Sequence, residues 1–167
     1  METHLENHTK TNALTKAAIV TGLYISLTLL LAPISYGMIQ IRFSEMFNHL
    51  IHYNKHYLWS VTLGVFIANA YSFGAVDMIV GSFTTLVFLS LSLKLNKSIE
   101  DMRKKQLITS LLMSVSMFTI ALELKILNID NHSFWIIFLT MTLGELLSMT
   151  LGGIIIRLIA NKIDLVK

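Results

Sequence analysis

The stretch SFWIIFLTMTLGELLSMTLGGIIIRLIA, residues 133–160, decides the fold of this chain. Apart from Glu145 and Arg157, it consists of apolar, small or hydroxyl-bearing residues. An α-helix rises 1.5 Å per residue, so about 20 such residues cross the roughly 30 Å hydrocarbon core of a bilayer. The stretch therefore predicts a membrane-spanning helix.

Four further stretches of the same character precede it, at residues 13–33, 56–72, 76–95 and 106–127. Charged residues lie mainly between these stretches and rarely inside them. The first should end at Pro33, because proline lacks an N–H and clashes with the preceding helical turn. Together with residues 133–160, these stretches predict five long spans.

A shorter segment, FSEMFNHLIHYN at residues 43–54, predicts an additional short helix. Its apolar residues recur at the i, i+3, i+4, i+7 and i+8 spacing of one helical face: Phe43, Met46, Phe47, Leu50 and Ile51. Its other face carries Glu45, Asn48, His49 and His52, which we expect to pack inward, away from lipid. A helix lying in the membrane interface is the alternative.

Composition agrees with a membrane protein, since 54% of residues are hydrophobic, only 14% are charged and mean hydropathy is +0.65. A soluble domain carries about 25% charged residues. We predict an all-α integral membrane protein: one six-helix bundle at residues 13–160, with polar tails at 1–12 and 161–167. The absence of cysteine excludes disulfides and thiol chemistry. The basic residues flank apolar runs and form no single basic face, which argues against nucleic-acid binding.

The distribution of basic residues predicts the orientation of the bundle. With six spans and a cytoplasmic amino terminus, only Arg42 and Lys125 fall on the outer side. The others collect inside, as the positive-inside rule requires: Lys10, Lys16, Lys55, Lys94, Lys97, Arg103, Lys104, Lys105, Arg157, Lys162 and Lys167. We therefore predict a multi-pass protein of the plasma membrane with both termini in the cytoplasm.

Acidic residues occur where lipid is expected, namely Glu45, Asp77, Glu123 and Glu145. Placing one ionisable group inside a membrane costs about 2.5–3.5 kcal/mol of free energy, so the presence of these residues requires a functional or structural reason. We expect a cavity open to the outside; internal pairing with Arg42 or Lys125 is the alternative. Polar and aromatic residues nearby would suit a flat, donor-rich ring or a small cation: Gln40, Asn69, Tyr36, Phe43 and Tyr71.

A divalent-metal site is a second interpretation of one part of this region. Glu45, His49 and His52 fall at i, i+4 and i+7, one face of a helix, and could ligate a metal with a fourth group. The sequence contains no phosphate-binding loop, G-x-S-x-G or H-E-x-x-H motif. We therefore expect no catalytic residues, no cofactor and no enzymatic activity. A non-transport assembly protein is a further alternative.

Small residues at four-residue spacing mark faces where another helix can approach closely. In the first span these are Ala13, Ala17 and Thr21, with a parallel stripe of Ala18, Gly22 and Ser26. The sixth span has Gly144, Ser148 and Gly152. We expect the sixth-span stripe to pack inside the bundle. The first-span residues fit either internal packing or docking to a partner subunit.

Four ordered blocks together resemble the QueT family. They are LTLLLAPISYGMIQIRFSE (27–45), GVFIANAYSFGAVDMIVGSFTTL (64–86), ALELKILNIDNHSFW (121–135) and LGELLSMTLGG (143–153). QueT proteins are substrate-binding S-components of energy-coupling factor (ECF) transporters, assigned to uptake of queuosine precursors. The resemblance covers about residues 13–160.

This resemblance implies a six-helix S-component that binds its solute from outside, with the first loop as a lid. The solute would be a 7-deazaguanine, such as the 7-aminomethyl or 7-cyano form. Its base edge would meet Glu123 or Glu145 and an amine would meet Glu45 or Asp77. The remaining ligand groups would meet Asn69, Gln40 and Arg42, with Tyr36, Phe43 and Tyr71 for stacking. The implied partners are a transmembrane coupling protein and two ATPases, which dock on Ala13, Ala17 and Thr21.

Overall fold

The computed structural model describes the backbone of residues 2–36, 40–71 and 74–166, and the side chains of the same ranges from residue 14 onward. The helices in chain order are α1 (Glu2–Leu30), a one-turn α2 (Ala32–Ser35), a 3₁₀ helix (Phe43–His52), α3 (Tyr57–Asn69), α4 (Ala75–Leu95), α5 (Met102–Ile126) and α6 (Phe134–Ala160). A 3₁₀ turn at Asn96–Ser98 follows α4. The described residues contain no β-strand, so the all-helical prediction is confirmed.

The predicted spans correspond closely to the observed helices. The stretches predicted at 76–95 and 133–160 form α4 and α6, with bounds shifted by one residue at most. The first helix ends at Leu30, and Pro33 lies in the first turn of α2, where a missing N–H is tolerated. At its other end α1 begins at Glu2, so the helix extends into the segment predicted as a polar tail.

Three helices of the described chain are long and apolar enough to cross a bilayer: Ala75–Ser98, Met102–Ile126 and Phe134–Ala160. The apolar helices Leu14–Leu30 and Tyr57–Asn69 are shorter. At 1.5 Å per residue, the 13 residues of α3 rise about 20 Å, less than the hydrocarbon thickness. That the chain crosses the membrane six times therefore stays a prediction.

The predicted short helix is a 3₁₀ helix at the centre of the bundle, packed against α1, α3, α4, α5 and α6. Its polar residues Glu45, Asn48 and His49 are buried, as predicted, but so are Leu50 and Ile51 on its apolar side. Residues three apart line up in a 3₁₀ helix, which places Glu45 and Asn48 on one row. Both faces are enclosed by protein, so the helix does not lie in the membrane interface.

The bundle has an apolar exterior and a polar interior among its described side chains. Large hydrophobic residues on every long helix are exposed, for example Phe83 (65%) and Leu139 (56%). Serine, threonine, asparagine and acidic side chains are buried in larger number than hydrophobic ones. A water-soluble protein shows the opposite preference. This distribution is the one expected of a helical bundle in lipid.

The helices alternate in direction, so their ends meet at two opposite ends of the bundle. At one end, the Lys16 ammonium donates to the Asp164 carbonyl (3.4 Å), and the Asn54 amide donates to the Val166 carbonyl (3.1 Å). Asn96 donates there to the Lys105 carbonyl (3.4 Å). We call this end, formed by residues 16, 54–57, 94–105 and 157–166, the basic end. The opposite end, with residues 36, 40–42, 68–71, 74–77 and 123–134, is the cavity end.

The loop between α5 and α6 at the cavity end is held by its own polar groups. Lys125 donates to the His132 carbonyl (3.0 Å), and the His132 backbone N–H donates to the Asp130 carboxylate (2.8 Å). The His132 ring also contacts this carboxylate (2.7 Å). These hydrogen bonds lower the pKa of Asp130. Lys125 is thus engaged by the loop and does not reach the buried acids.

Candidate binding site

A small polar cavity lies between the 3₁₀ helix, α3, α4, α5 and α6. Its free volume is about 30 Å³, enough for ordered water. Six of the ten predicted substrate-binding residues line it: Gln40, Arg42, Glu45, Asn69, Asp77 and Glu145. The rest of the wall consists of Val65, Gly81, Thr84, Thr85, Met113, Ser116, Met117 and Ile120.

Glu45 on the 3₁₀ helix is the best-satisfied acid of this cavity. It is 5% exposed, and its Oε1 accepts a hydrogen bond from the Tyr24 hydroxyl at 2.5 Å. Its Oε2 accepts from the Asn48 amide at 2.5 Å. The Arg42 guanidinium lies 3.7 Å from Oε1. One cation and two neutral donors thus compensate the desolvation of this carboxylate, which is what a buried charge requires.

Arg42 connects the cavity to the segment that precedes it. Its Nη1 donates to the Asn69 side-chain carbonyl at 3.1 Å, and its guanidinium lies 5.3 Å from the Tyr36 ring centroid, a cation–π distance. Tyr36 in turn donates to the Ala68 carbonyl at 2.8 Å. The amide of Asn69 donates to the Asp77 carbonyl at 3.3 Å. Arg42 therefore joins the 3₁₀ helix to α3 and α4.

Glu145 and Glu123 carry carboxylate oxygens without a hydrogen-bond partner. Glu145, 3% exposed, lines the cavity from α6, and its Oε1 is buried and unpartnered. Glu123, 6% exposed on α5, has both oxygens buried and unpartnered. Glu123 does not line the cavity, but its charge interacts with that of Asp77, which does. Internal pairing with Arg42 therefore accounts for Glu45, whereas no hydrogen bond reaches the carboxylate of Glu123 or Oε1 of Glu145.

The predicted aromatic residues lie further from the cavity. Tyr36 reaches it indirectly, by packing on Arg42. Phe43 is half-buried at the start of the 3₁₀ helix, and Tyr71 is 70% exposed at the end of α3. Neither Phe43 nor Tyr71 lines the cavity wall.

The three residues of the alternative metal site point to separate partners. His49 Nε2 contacts the Met149 carbonyl at 2.8 Å, and His52 Nε2 contacts the Thr109 hydroxyl at 2.7 Å. Glu45 is held by Tyr24 and Asn48, as described above. In the described part of the chain, no group of three or more histidine or acidic residues could hold a metal ion. The i, i+4, i+7 spacing along the helix therefore does not produce a ligand set here.

Several residues in and around the cavity were not predicted from the sequence. Ser116, Thr84 and Thr85 line the cavity with hydroxyl groups, and Tyr24 holds Glu45 from α1. Hydroxyls inside apolar helices carry little signal, because they commonly bond the carbonyl three or four residues back. Ser116 itself donates to the Met113 carbonyl at 2.6 Å. Tyr24 could only be recognised once α1 was packed against the 3₁₀ helix.

The small residues of α1 border a second surface, a groove between α1 and α3. Thr21 is buried and donates to the Ser60 carbonyl at 2.8 Å, so it is part of the α1–α3 contact. Ala17, Ala18 and Gly22 line the groove, and a side-chain carbon at Gly22 would meet nothing within 4 Å. The Ala13 side chain lies outside the described residues. On α6, Gly144, Ser148 and Gly152 are buried, which confirms their predicted packing inside the bundle.

An apolar exterior around a buried acidic cavity is the arrangement expected of a helical membrane protein that binds a polar solute. Residues 14–162 match the QueT transporter family. Over 165 residues the chain is 41% identical to a Lactococcus lactis subsp. cremoris protein named "Queuosine precursor transporter QueT", covering 93% of this chain and 96% of that relative. This chain belongs to the QueT transporter family, which confirms the resemblance and agrees with a transporter that is not an enzyme. No solved structure matches the chain.

Proposed function

We propose that this chain is the substrate-binding S-component of an ECF importer and binds a queuosine precursor, a 7-deazaguanine, in the acidic cavity. The name of the Lactococcus relative supports the substrate class. The observation that carries the proposal is the buried, unpartnered carboxylate oxygen of Glu145, which lines the cavity. A buried carboxylate without a donor is costly, and a ligand rich in N–H groups removes that cost.

The chemistry of a 7-deazaguanine suits these acids. Its guanine-like edge offers a ring N–H and an exocyclic amine, a donor pair that one carboxylate accepts in bidentate fashion. Glu145 or Glu123 would take this edge, and Asp77 or Glu45 would face the amine of an aminomethyl form. Asn69, Gln40 and Arg42 would form hydrogen bonds with the remaining polar groups of the ring. Glu45 is the weaker candidate, because Tyr24 and Asn48 already donate to both its oxygens.

The cavity is narrow, with a free volume of about 30 Å³. Arg42 occupies the space between Glu45, Asn69 and Tyr36. We therefore propose that the Arg42 side chain moves when solute enters, which agrees with a lid function for the first loop.

The direct test is a calorimetric titration of the purified chain in detergent, without partners. The ligands are 7-aminomethyl-7-deazaguanine, 7-cyano-7-deazaguanine, guanine and Ni²⁺. We expect saturable binding of a deazaguanine at micromolar concentration or below, and none of Ni²⁺. Binding of Ni²⁺ alone would replace this proposal with that of a divalent-metal carrier. Binding of none of these ligands would refute the proposed solute class and leave only the family membership standing.

The groove between α1 and α3 is the proposed docking surface for the transmembrane coupling protein, which joins two ATPases in the same membrane complex. Exposed Leu14, Trp59 and Leu63 give the groove an apolar wall, and Ala17, Ala18 and Gly22 let a partner helix approach closely. Replacing Gly22 by leucine should abolish co-purification with the coupling protein and leave solute binding intact. Ser90→Leu, at an exposed position on α4, is the control. Equal co-purification of both variants would refute the docking surface.

A further inference from the structure

A third recess lies at the basic end, on the surface of the bundle between the start of α5 and the end of α6. Its volume is about 760 Å³, and it is separate from the central cavity and from the α1–α3 groove. The residues around it are Tyr53, Met102, Arg103, Ile154, Arg157, Leu158, Ala160 and Asn161. We call it the arginine groove. It shares no lining residue with the proposed substrate site or the proposed docking surface.

The arginine groove combines two positive charges with apolar side chains. Arg103 and Arg157 are its charged residues, and no acidic residue lines it. Ile154 and Leu158, one helical turn apart on α6, are 45% and 61% exposed. One part of the groove is therefore cationic, while the adjoining part has the apolar character of the lipid-facing surface.

Contacts within the protein leave the guanidinium groups of Arg103 and Arg157 available to a ligand. Arg157 uses its Nε to donate to the Gly153 carbonyl at 3.2 Å, which directs the guanidinium along α6. Arg103 is exposed in the first turn of α5. The neighbouring acid, Asp101, accepts the backbone N–H of Arg103 at 2.8 Å as the N-cap of α5. Asp101 does not line the groove, so its carboxylate serves the helix terminus.

We propose that the arginine groove binds the head group of an anionic phospholipid. Guanidinium groups present paired donors that match phosphate oxygens. The groove lies at the first turn of α5 and the last turn of α6, which is the depth of lipid head groups for helices that span the membrane. Basic pockets between transmembrane helices are typical head-group sites. Ile154 and Leu158 contact the acyl chains of the same lipid.

The test measures lipid retention by the full-length chain. Protein purified in detergent is incubated with equal amounts of phosphatidylglycerol and phosphatidylcholine, and bound lipid is counted by native mass spectrometry. We expect a preference for phosphatidylglycerol that falls about fivefold in Arg157→Gln, given about 1 kcal/mol per basic residue near an anionic lipid. Arg157→Lys should recover part of it, because the charge remains but the guanidinium geometry is lost.

Lys104→Gln is the matched control. Lys104 is exposed and follows Arg103 directly in the chain, but it does not line the groove, so the substitution removes one positive charge outside the groove. An equal loss in Lys104→Gln and Arg157→Gln would show attraction by overall charge and overturn the proposal. Soluble glycerol phosphate separates a lipid from a free phosphate ligand. The lipid should resist displacement by millimolar glycerol phosphate; displacement would assign the groove to a soluble phosphate compound instead. Normal thermal unfolding of each variant shows that the fold is intact.

Discussion

At the scale of residues, the buried acids in and near the cavity differ in what surrounds them. Glu45 has a donor for each oxygen and the Arg42 guanidinium nearby, so it is compensated within the chain. Glu145 lacks a partner for one oxygen and Glu123 for both. Because an uncompensated buried carboxylate gains most from an incoming donor, Glu123 and Glu145 should contribute most to solute binding.

Replacing Glu123 or Glu145 by glutamine should therefore weaken solute binding at least about tenfold, because a charge-assisted hydrogen bond becomes a neutral one with a donor misplaced. Calorimetric titration of each variant measures the effect. Glu100→Gln, at an exposed site before α5, provides the matched control and should bind as the parent chain does. Unchanged binding in both variants would remove these residues from the site.

Tyr24→Phe should lower the stability of the protein, since Tyr24 is fully buried and phenylalanine keeps the ring but loses the donor to Glu45. A hydrogen bond to a charged group contributes about 1.5–3 kcal/mol. Thermal unfolding in detergent should show a lower midpoint for this variant. Tyr71→Phe, at a side chain that is 70% exposed, should leave the midpoint unchanged. Equal midpoints for the two variants would show that the Tyr24 contact adds no stability.

The sequence predicted these residues only in part, for a physical reason. Charged groups in apolar runs are visible because their burial is costly, and this signal led to Glu45, Asp77 and Glu145. Tyr24 gave no such signal, since a tyrosine in an apolar helix packs well without any polar partner. Helical spacing grouped Glu45, His49 and His52 on one face. In the structure these side chains contact residues of three different helices, α1, α6 and α5 respectively.

At the scale of elements, close contact between α6 and the 3₁₀ helix depends on Gly152. A side-chain carbon at this position would overlap Met46, including its backbone Cα at 2.6 Å. The absence of a side chain thus lets two backbones approach, which is how small residues act in membrane helix packing. The central position of the 3₁₀ helix, and with it that of Glu45, follows from this contact.

Gly152→Ala should accordingly destabilise the bundle by forcing α6 away from the 3₁₀ helix, since backbone atoms cannot yield as a flexible side chain can. We expect a lower unfolding midpoint, with a cost of about 1–3 kcal/mol. Gly22→Ala makes the same chemical change where nothing lies within 4 Å, and it should be neutral or slightly stabilising because alanine favours helix. A midpoint for Gly152→Ala as high as that of Gly22→Ala would contradict the packing argument.

The bounds of α4 and α6 were predictable because they follow from hydrophobic length, which is a local property. By contrast, α1 and α5 begin 11 and 4 residues before the predicted starts, since polar residues extend both helices. The 3₁₀ helix was harder, because its burial on both faces depends on five neighbouring helices. Its apolar stripe was visible in the sequence. Its winding and its central position follow from packing against those neighbours.

At the scale of the whole molecule, the two ends of the bundle differ in charge. Lys16 and Asp164 meet at the basic end, so the described parts of both terminal segments lie together there. The acidic cavity adjoins the other end, where Arg42 and Asn69 join the first loop to α3. The positive-inside rule predicts that the basic end faces the cytoplasm, which would expose the cavity end to external solute.

This orientation predicts which positions an external reagent can reach. The chain contains no cysteine, so a single introduced cysteine reports on its position without background. In intact cells, a membrane-impermeant maleimide should label Asn131→Cys, exposed between α5 and α6, and should not label Ser98→Cys, exposed between α4 and α5. Permeabilised cells should show labelling of both variants, which controls for reactivity. Labelling of Ser98→Cys alone in intact cells would invert the topology, placing the cavity toward the cytoplasm and contradicting uptake from outside.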